Sequence, residues 1–275
     1  MRTMLAELMA SEKDIPAIPA MITGCFGEDI PLSECTKPRL NTLRKYILSR
    51  VSQNSARVYM ANIKAVLNIY ADELPSSDLS LLNVRAEATV SVYLSTDELD
   101  RLEKYAGGLK GRERMYALYF LCSAWCGARV SDIQRIGPDS IERGRLVYVC
   151  EKTGARAEVP AKRGLCGWLE ELEALRQANG FCERTYNRTI KEICRKADIR
   201  SQVRGFRGGK EIRSEKWEQV STHTARRSFA TNLYLSGCDL YTIGRMMGHS
   251  SADMTRRYIC SGIRDMDEGM KRFFA

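Results

Sequence analysis

The chain has 275 residues, of which 44% are hydrophobic and 28% charged, enough for two domains with cores of ordinary size and suited to a soluble protein. No run of about 18 apolar residues occurs, which excludes a helical membrane span. The N-terminal MRTMLAELMASEKD lacks the long apolar segment of a secretory signal. The net charge of +9 is unevenly held: residues 1–90 contain ten basic and ten acidic side chains, residues 91–275 contain 33 and 24. Ten cysteines form no C-x-x-C pair and there are only two histidines, so a zinc site is not expected. Scattered thiols without an export signal point to a reduced, cytoplasmic setting.

Taken in chain order, residues 1 to about 10 suit a short helix. Ile15 to Pro31 holds Pro16, Pro19, Gly24, Gly27 and Pro31, and is expected to be irregular. Thr36 is placed to cap a helix from about Pro38 to Val51, with Leu40, Leu43, Tyr46 and Ile47 on one stripe. Ser52 or Asn54 starts another, to about Glu73. Its apolar stripe is Val58, Tyr59, Ile63, Val66, Leu67 and Tyr70, and Arg57 and Lys64 lie opposite. Pro75 and the following Ser-Ser-Asp mark a turn, and Val84 to Ser91 reads as a linker.

The second part opens with Ser95 or Thr96 capping a helix whose first turn carries acids. Met115 to Cys126 (MYALYFLCSAWC) is apolar almost throughout and predicts a buried helix, ended by Gly127; Arg129 follows in CGARVSDIQRI. Leu146 to Cys150 and Ala155 to Val159 are β-like runs joined by Glu-Lys-Thr-Gly, a hairpin with Lys152 on its rim. Leu165 to Ala178 and Thr185 to Ala197 read as amphipathic helices. Between Glu183 and Lys216 there are 11 basic and 5 acidic residues, a tract that by itself is often a solvated face and that, beside a phosphate-handling site, fits a DNA backbone partner better. Gly205 to Ser214 is expected to be a flexible loop on DNA, and Lys216 to Val220 a strand. Ala225 to Leu235 predicts a helix stopped by Gly237. Asp239 caps a second one, Leu240 to Met247, and Gly248 stops it. Ser250 or Ser251 caps a third that ends near Tyr258. Beyond it, Ile263, Met266, Met270, Phe273 and Phe274 form an apolar stripe.

Ser221 to Tyr258 contains both histidines. His223 opens an H-x-x-R step closed by Arg226, and His249 sits in Gly-His nine residues before Tyr258. These residue types suit phosphoryl transfer. An arginine fork stays charged and donates two hydrogen bonds to phosphate oxygens. A phenol, with its free pKa of about 10, needs a neighbour to take or share its proton, and histidine titrates in the right range. Each element alone is commonplace; a turn, a packed tyrosine or a chance H-x-x-R would account for it. The joint pattern is far more specific.

That pattern, with CGARVSD upstream, resembles the C-terminal signature of the tyrosine recombinases, the integrase family of site-specific DNA recombinases. The resemblance covers about 90–275 well and about 36–85 loosely. It implies a mainly α fold with a small β-sheet: a helical core-binding, DNA-binding domain in 1–86 with an irregular N-terminal segment, and a mixed α/β catalytic domain in 90–275. On the family pattern, Tyr258 is the nucleophile and forms a 3′-phosphotyrosyl link. Arg129 and Arg226 hold the non-bridging oxygens, and Asp132 orients Arg129. Lys152 is the general acid, His223 assists proton transfer, and His249 hydrogen-bonds the phosphate. Arg57 and Lys64 are candidate DNA contacts. The resemblance implies no metal, no ATP and no cofactor. It implies double-stranded DNA as partner, a homotetramer on paired sites, a monomer or weak self-association when free, and DNA-bending helper proteins. The apolar stripe after Tyr258 either packs on its own domain or passes to a neighbouring protomer. Arg227 departs from the pattern, standing where many relatives have histidine. The N-terminal part is too short for a further arm-binding domain, so the chain is expected to be a two-domain enzyme or an integrase whose arm-binding part lies outside it. Two other functions use the same residues: a non-cutting DNA-binding accessory protein, and a type IB topoisomerase-like relaxing enzyme.

Overall fold

The computed structural model describes residues 2–10, 15–76, 78–87, 90–207 and 210–260. The chain divides into two units, Met1–Thr89 with Phe206–Ile212, and Val90–Gly205 with Arg213–Ala275.

The first unit is helical: α1 (Met4–Met9), α2 (Ala17–Phe26), α3 (Lys37–Arg50) and α4 (Gln53–Ile69). Ile22, Leu40, Leu43, Ile47, Met60, Ile63 and Leu67 form its centre. Ser52 caps α4, its hydroxyl accepting from the Ser55 amide at 3.2 Å. Thr36 stands at the N-cap of α3 but makes no capping bond.

The stretch expected to be irregular is α2, for a physical reason. Pro16 stands at its N-cap and Pro19 in its first turn, where a missing amide hydrogen costs nothing. Gly24 lies so close to Tyr46 that a Cβ would sit 2.4 Å from the phenol oxygen, and Gly27 ends the helix at φ +78°. Along α4 the apolar stripe holds except at Val58, which is exposed. The helix also stops four residues early and runs into a short 3-10 turn, Ala71–Glu73.

The second unit is built around one helix. After α5 (Thr96–Ala106) comes α6 (Gly111–Cys126), in which every side chain from Met115 to Cys126 except Trp125 is buried. Beyond its exposed first turn, helix α6 has no solvent face because it packs against α5, α7 (Val130–Ile133), α8 (Leu165–Ala178), α9 (Glu183–Lys196) and α10 (Thr222–Leu235). An all-round apolar sequence is what a central helix requires. The α5 cap is reciprocal: Ser95 N donates to Glu98 Oε2 at 2.9 Å, and Glu98 N to Ser95 Oγ at 3.3 Å.

A three-stranded antiparallel sheet lies between α7 and α8: β1 (Ile141–Glu142), β2 (Arg145–Val149) and β3 (Arg156–Pro160), in that order. Leu146 pairs with Val159 and Tyr148 with Ala157, all buried. The two-residue β1 is too short to leave a pattern in the sequence. A second pair, β4 (Gln202–Arg207) and β5 (Lys210–Glu215), occupies the stretch read as a flexible loop. Gly-Gly between two strand-forming runs is a hairpin signal as well as a source of the flexibility expected there. Lys216–Gln219 is a 3-10 turn and not a strand. Lys216 reaches the buried Glu98 at 2.5 Å there, and Glu215 N donates to Glu218 Oε1 at 2.9 Å.

The unit ends with α11 (Leu240–Met246) and α12 (Ala252–Arg256), capped by Asp239 and Ser251 as their positions predict. The apolar stripe from Ile263 to Phe274 lies outside the described residues. Among the described residues, no helix is long and apolar enough to cross a membrane.

Candidate active site

Helix α10 begins at Thr222, three residues earlier than expected, so His223 and Arg226 both ride on it one turn apart. Thr224 supplies the cap: its hydroxyl accepts from the Ser221 amide at 3.0 Å. Arg226 is 1% exposed and heads the largest fully buried side chains. A buried guanidinium must spend its donors on acceptors or leave them aimed at a missing anion. Arg226 does both. Its Nη1 donates to the Gly127 carbonyl. Its Nη2 reaches the Met247 carbonyl at 3.4 Å and His249 Nε2 at 2.7 Å. Its Nε has no partner. The side chain therefore ties together the loop after α6, the loop after α11 and α10 itself. Gly127 makes that approach feasible: its φ is +71°, and a Cβ would lie 2.5 Å from the Phe229 ring.

Tyr258 lies beside this arginine. Its ring centroid is 5.1 Å from the Arg226 guanidinium carbon, 5.2 Å from the His249 ring at an interplanar angle of 28°, and 6.3 Å from the His223 ring. The chain around it is pinned to α10, with Thr231 Oγ1 donating to Tyr258 O at 3.3 Å and accepting from Cys260 N at 3.1 Å.

The hydrogen bonds fix the tautomer of His249. Arg226 only donates, so Nε2 accepts, which leaves the proton on Nδ1 to be donated to Thr255 Oγ1 at 3.1 Å. Burial, then the charges of Arg226 and Arg129, hold this imidazole down to about 4. His223 is also depressed, by partial desolvation and then by Arg227 and Arg226. Both rings are therefore neutral at pH 7 and able to accept a proton.

Arg129 is the N-cap residue of α7 and only 16% of its side chain is exposed. Its charge reaches both imidazoles and Arg226. Its Nη1 sits 3.8 Å from Asp132 Oδ2, beyond hydrogen-bond distance, and has no hydrogen-bond partner. Asp132, 1% exposed, accepts from the Arg129 amide at 3.3 Å, from the Glu151 amide at 2.9 Å and from Arg135 at 3.4 Å.

Five of the six residues singled out from the sequence thus share one neighbourhood: Arg129, His223, Arg226, His249 and Tyr258. Lys152 is different. Its turn is docked on the Gly248–His249 loop, through Thr153 Oγ1 to Gly248 O at 3.2 Å, while the lysine itself is exposed. Arg57 and Lys64 belong to the first unit, where with Asn68 and Asn83 they line a cleft of about 380 Å3; Lys64 donates to Asn83 at 3.0 Å. Sequence reasoning missed Thr255, the partner of His249, because a threonine six residues away carries no pattern. Among the described residues no group of three or more His, Cys, Asp or Glu is placed to hold a metal ion.

The chain is similar to several known proteins. The model of the phage integrase family matches residues 93–262. Tyrosine recombinase XerA of Pyrococcus horikoshii is 22% identical over 245 residues, 87% of this chain and 81% of that protein. The structure of a lambda integrase (75–356) dimer bound to a COC' core site superposes with TM-score 0.66 at 16% identity, over 94% of this chain and 95% of that one. The Tn1549 transposon integrase in complex with circular intermediate DNA gives 0.66 at 11% identity over 97% of each chain. The two structures show that the fold is shared. The family match spans more than half of the chain, and the chain belongs to the phage integrase family, the tyrosine recombinases.

Proposed function

We propose that this protein is a site-specific recombinase that cuts and rejoins duplex DNA through a 3′-phosphotyrosyl intermediate, in the integration or excision of a mobile element. The observation that carries this reading is Arg226, buried beside Tyr258, together with the largely buried Arg129, whose charge reaches Arg226 and both imidazoles, each arginine having an N–H group left without a partner. Such donors await an anion, and a phosphodiester in mid-reaction supplies one whose negative charge grows.

In the proposed reaction the Tyr258 oxygen attacks phosphorus and the bond to the 5′ oxygen breaks. His223, neutral at pH 7, takes up the phenol proton. Lys152 gives a proton to the leaving 5′ oxygen. Arg129 and Arg226 stabilise the non-bridging oxygens, and His249 hydrogen-bonds the phosphate once DNA takes over its bond to Arg226 and its proton stands on Nε2, Nδ1 then accepting from the Thr255 hydroxyl. A 5′-hydroxyl from a second duplex then attacks the phosphotyrosine, the phenolate leaves, and the strands are exchanged. The arginines and the lysine carry the positive charge that a metal would otherwise bring, and the phosphotyrosine keeps the energy of the phosphodiester, so neither metal nor ATP enters the scheme. A tetramer on paired sites, DNA-bending helpers, and a DNA-clamping role for the first unit through Arg57 and Lys64 belong to the same proposal.

The test uses covalent capture. Adducts formed on genomic DNA are mapped, and the strongest site is built into a nicked duplex from which the cut strand end diffuses away. The wild-type protein is expected to form a detergent-stable adduct that Tyr258→Phe does not form. No adduct, or an equal amount in Tyr258→Phe, refutes the proposal.

A further inference from the structure

A general acid works only when its donor is held within hydrogen-bond reach of the leaving atom, and Lys152 rides on an exposed four-residue turn, Glu151 to Gly154. The backbone of the turn closes on itself. Cys150 N donates to Ala155 O at 2.9 Å, and Gly154 N to Cys150 O at 2.8 Å. The Thr153 hydroxyl is therefore not needed to make the turn. It donates to Gly248 O at 3.2 Å, 95 residues away, and also lies against the Cys150 thiol of its own turn. The contact is part of a close approach of two backbones: a Cβ on Gly248 would lie 2.2 Å from Cys150 Sγ and 3.7 Å from Ala155 Cβ. The Cys150 thiol adds a weak bond to Met247 O at 3.9 Å. Met247 O also receives Arg226, and His249 follows Gly248. At its other end the turn is held by Asp132, through the Glu151 amide. Lys152 thus sits between two anchors, one leading to the Arg129 helix and the other to the His249 loop. A β-branched side chain with few χ1 options suits a fixed anchor.

Resting on the reading of Lys152 as the general acid, we propose that Thr153 is a positioning residue. Its hydroxyl clamps the Lys152 turn to Gly248 and sets the approach of the ammonium to the leaving 5′ oxygen. The acid and the His249 loop then move as one body, and the cleavage geometry is shared between them.

The experiment compares cleavage of two nicked duplexes carrying the captured site, one with the normal 5′ oxygen at the scissile bond and one with sulfur there. A thiolate leaves without a proton, so only defects in acid catalysis are relieved by sulfur. Lys152→Ala should slow the oxygen substrate by about 100-fold or more, and Thr153→Val by about 10-fold. Both should cleave the sulfur substrate within about threefold of wild type, with DNA affinity unchanged, and Thr153→Ser should behave as wild type on both. Thr153 is exposed at the turn, so its variants are expected to keep the wild-type melting temperature. The proposal is overturned if Thr153→Val cuts the oxygen substrate at the wild-type rate, or slows both substrates alike. If sulfur does not relieve Lys152→Ala, the lysine is not the acid and the clamp has nothing to position. If the wild-type protein forms no Tyr258-dependent adduct, the recombinase reading itself fails and takes the clamp with it. These three failures appear in different samples.

Discussion

Replacing Gly248 by alanine tests how tightly the Cys150 turn and the Gly248 loop are joined. The residue sits at φ +64°, and a Cβ would lie 2.2 Å from Cys150 Sγ. The left-handed backbone costs a non-glycine residue about 1–2 kcal/mol. Cys150 is fully buried, so its sulfur has little room to retreat, and overpacking of this kind costs about 1–3 kcal/mol. Gly248→Ala should therefore destabilise the protein by about 2–5 kcal/mol, a large share of the 5–15 kcal/mol of a typical domain. The two contributions separate in a double-mutant cycle. In a Cys150→Ala background the contact is gone, and the same substitution should cost only the backbone part, about 1–2 kcal/mol. The assay is urea unfolding followed by tryptophan fluorescence. All three tryptophans, Trp125, Trp168 and Trp217, lie in the second unit, so the signal reports on the unit that holds the site. A cost below about 0.5 kcal/mol, or one equal in the two backgrounds, would refute the close approach of Gly248 and Cys150.

Further expectations follow from the same contacts. Lysine cannot reproduce the fork with which Arg226 joins Gly127, Met247 and His249, so Arg226→Lys should slow adduct formation by about 10²–10³; a loss under tenfold contradicts its role. His249 titrates near 4 when folded, against 6.5 for a free imidazole. As pH falls, the unfolded chain takes up this proton first, so the stability tied to the neutral ring is complete above about 6.5 and is lost on the way to 4. His249→Gln should therefore lose less stability than the wild type between pH 7 and pH 5, measured by urea midpoints. An unchanged difference between the two pH values would show that the ring is not held neutral.

Much of the candidate site was legible in the sequence because its residues fall in short local patterns. His223 and Arg226 share one helical turn, Gly248 and His249 follow a helix end, and Asp239 and Ser251 mark the next caps. The central helix α6 announced itself because a helix with neighbours on every side needs no polar face. What could not be read has a physical cause in each case. Helix α2 was hidden by prolines that fall where a helix tolerates them. The β4–β5 pair was hidden because its strands are rich in arginine, lysine and glycine and carry no clean apolar alternation. The bond from Thr153 to Gly248 and that from His249 to Thr255 depend on how loops come together, and no periodicity records that. Lys152 was placed on its hairpin, but an exposed side chain takes its final position from what it binds.

The central claim is that Tyr258 attacks phosphorus within a ring of two arginines and two imidazoles. Nuclease digestion of the captured complex, followed by peptide mass spectrometry, tests it most directly. The account predicts a single modified peptide, with the nucleotide joined through its 3′ phosphate to Tyr258. Attachment at another residue, or through a 5′ phosphate, would contradict it.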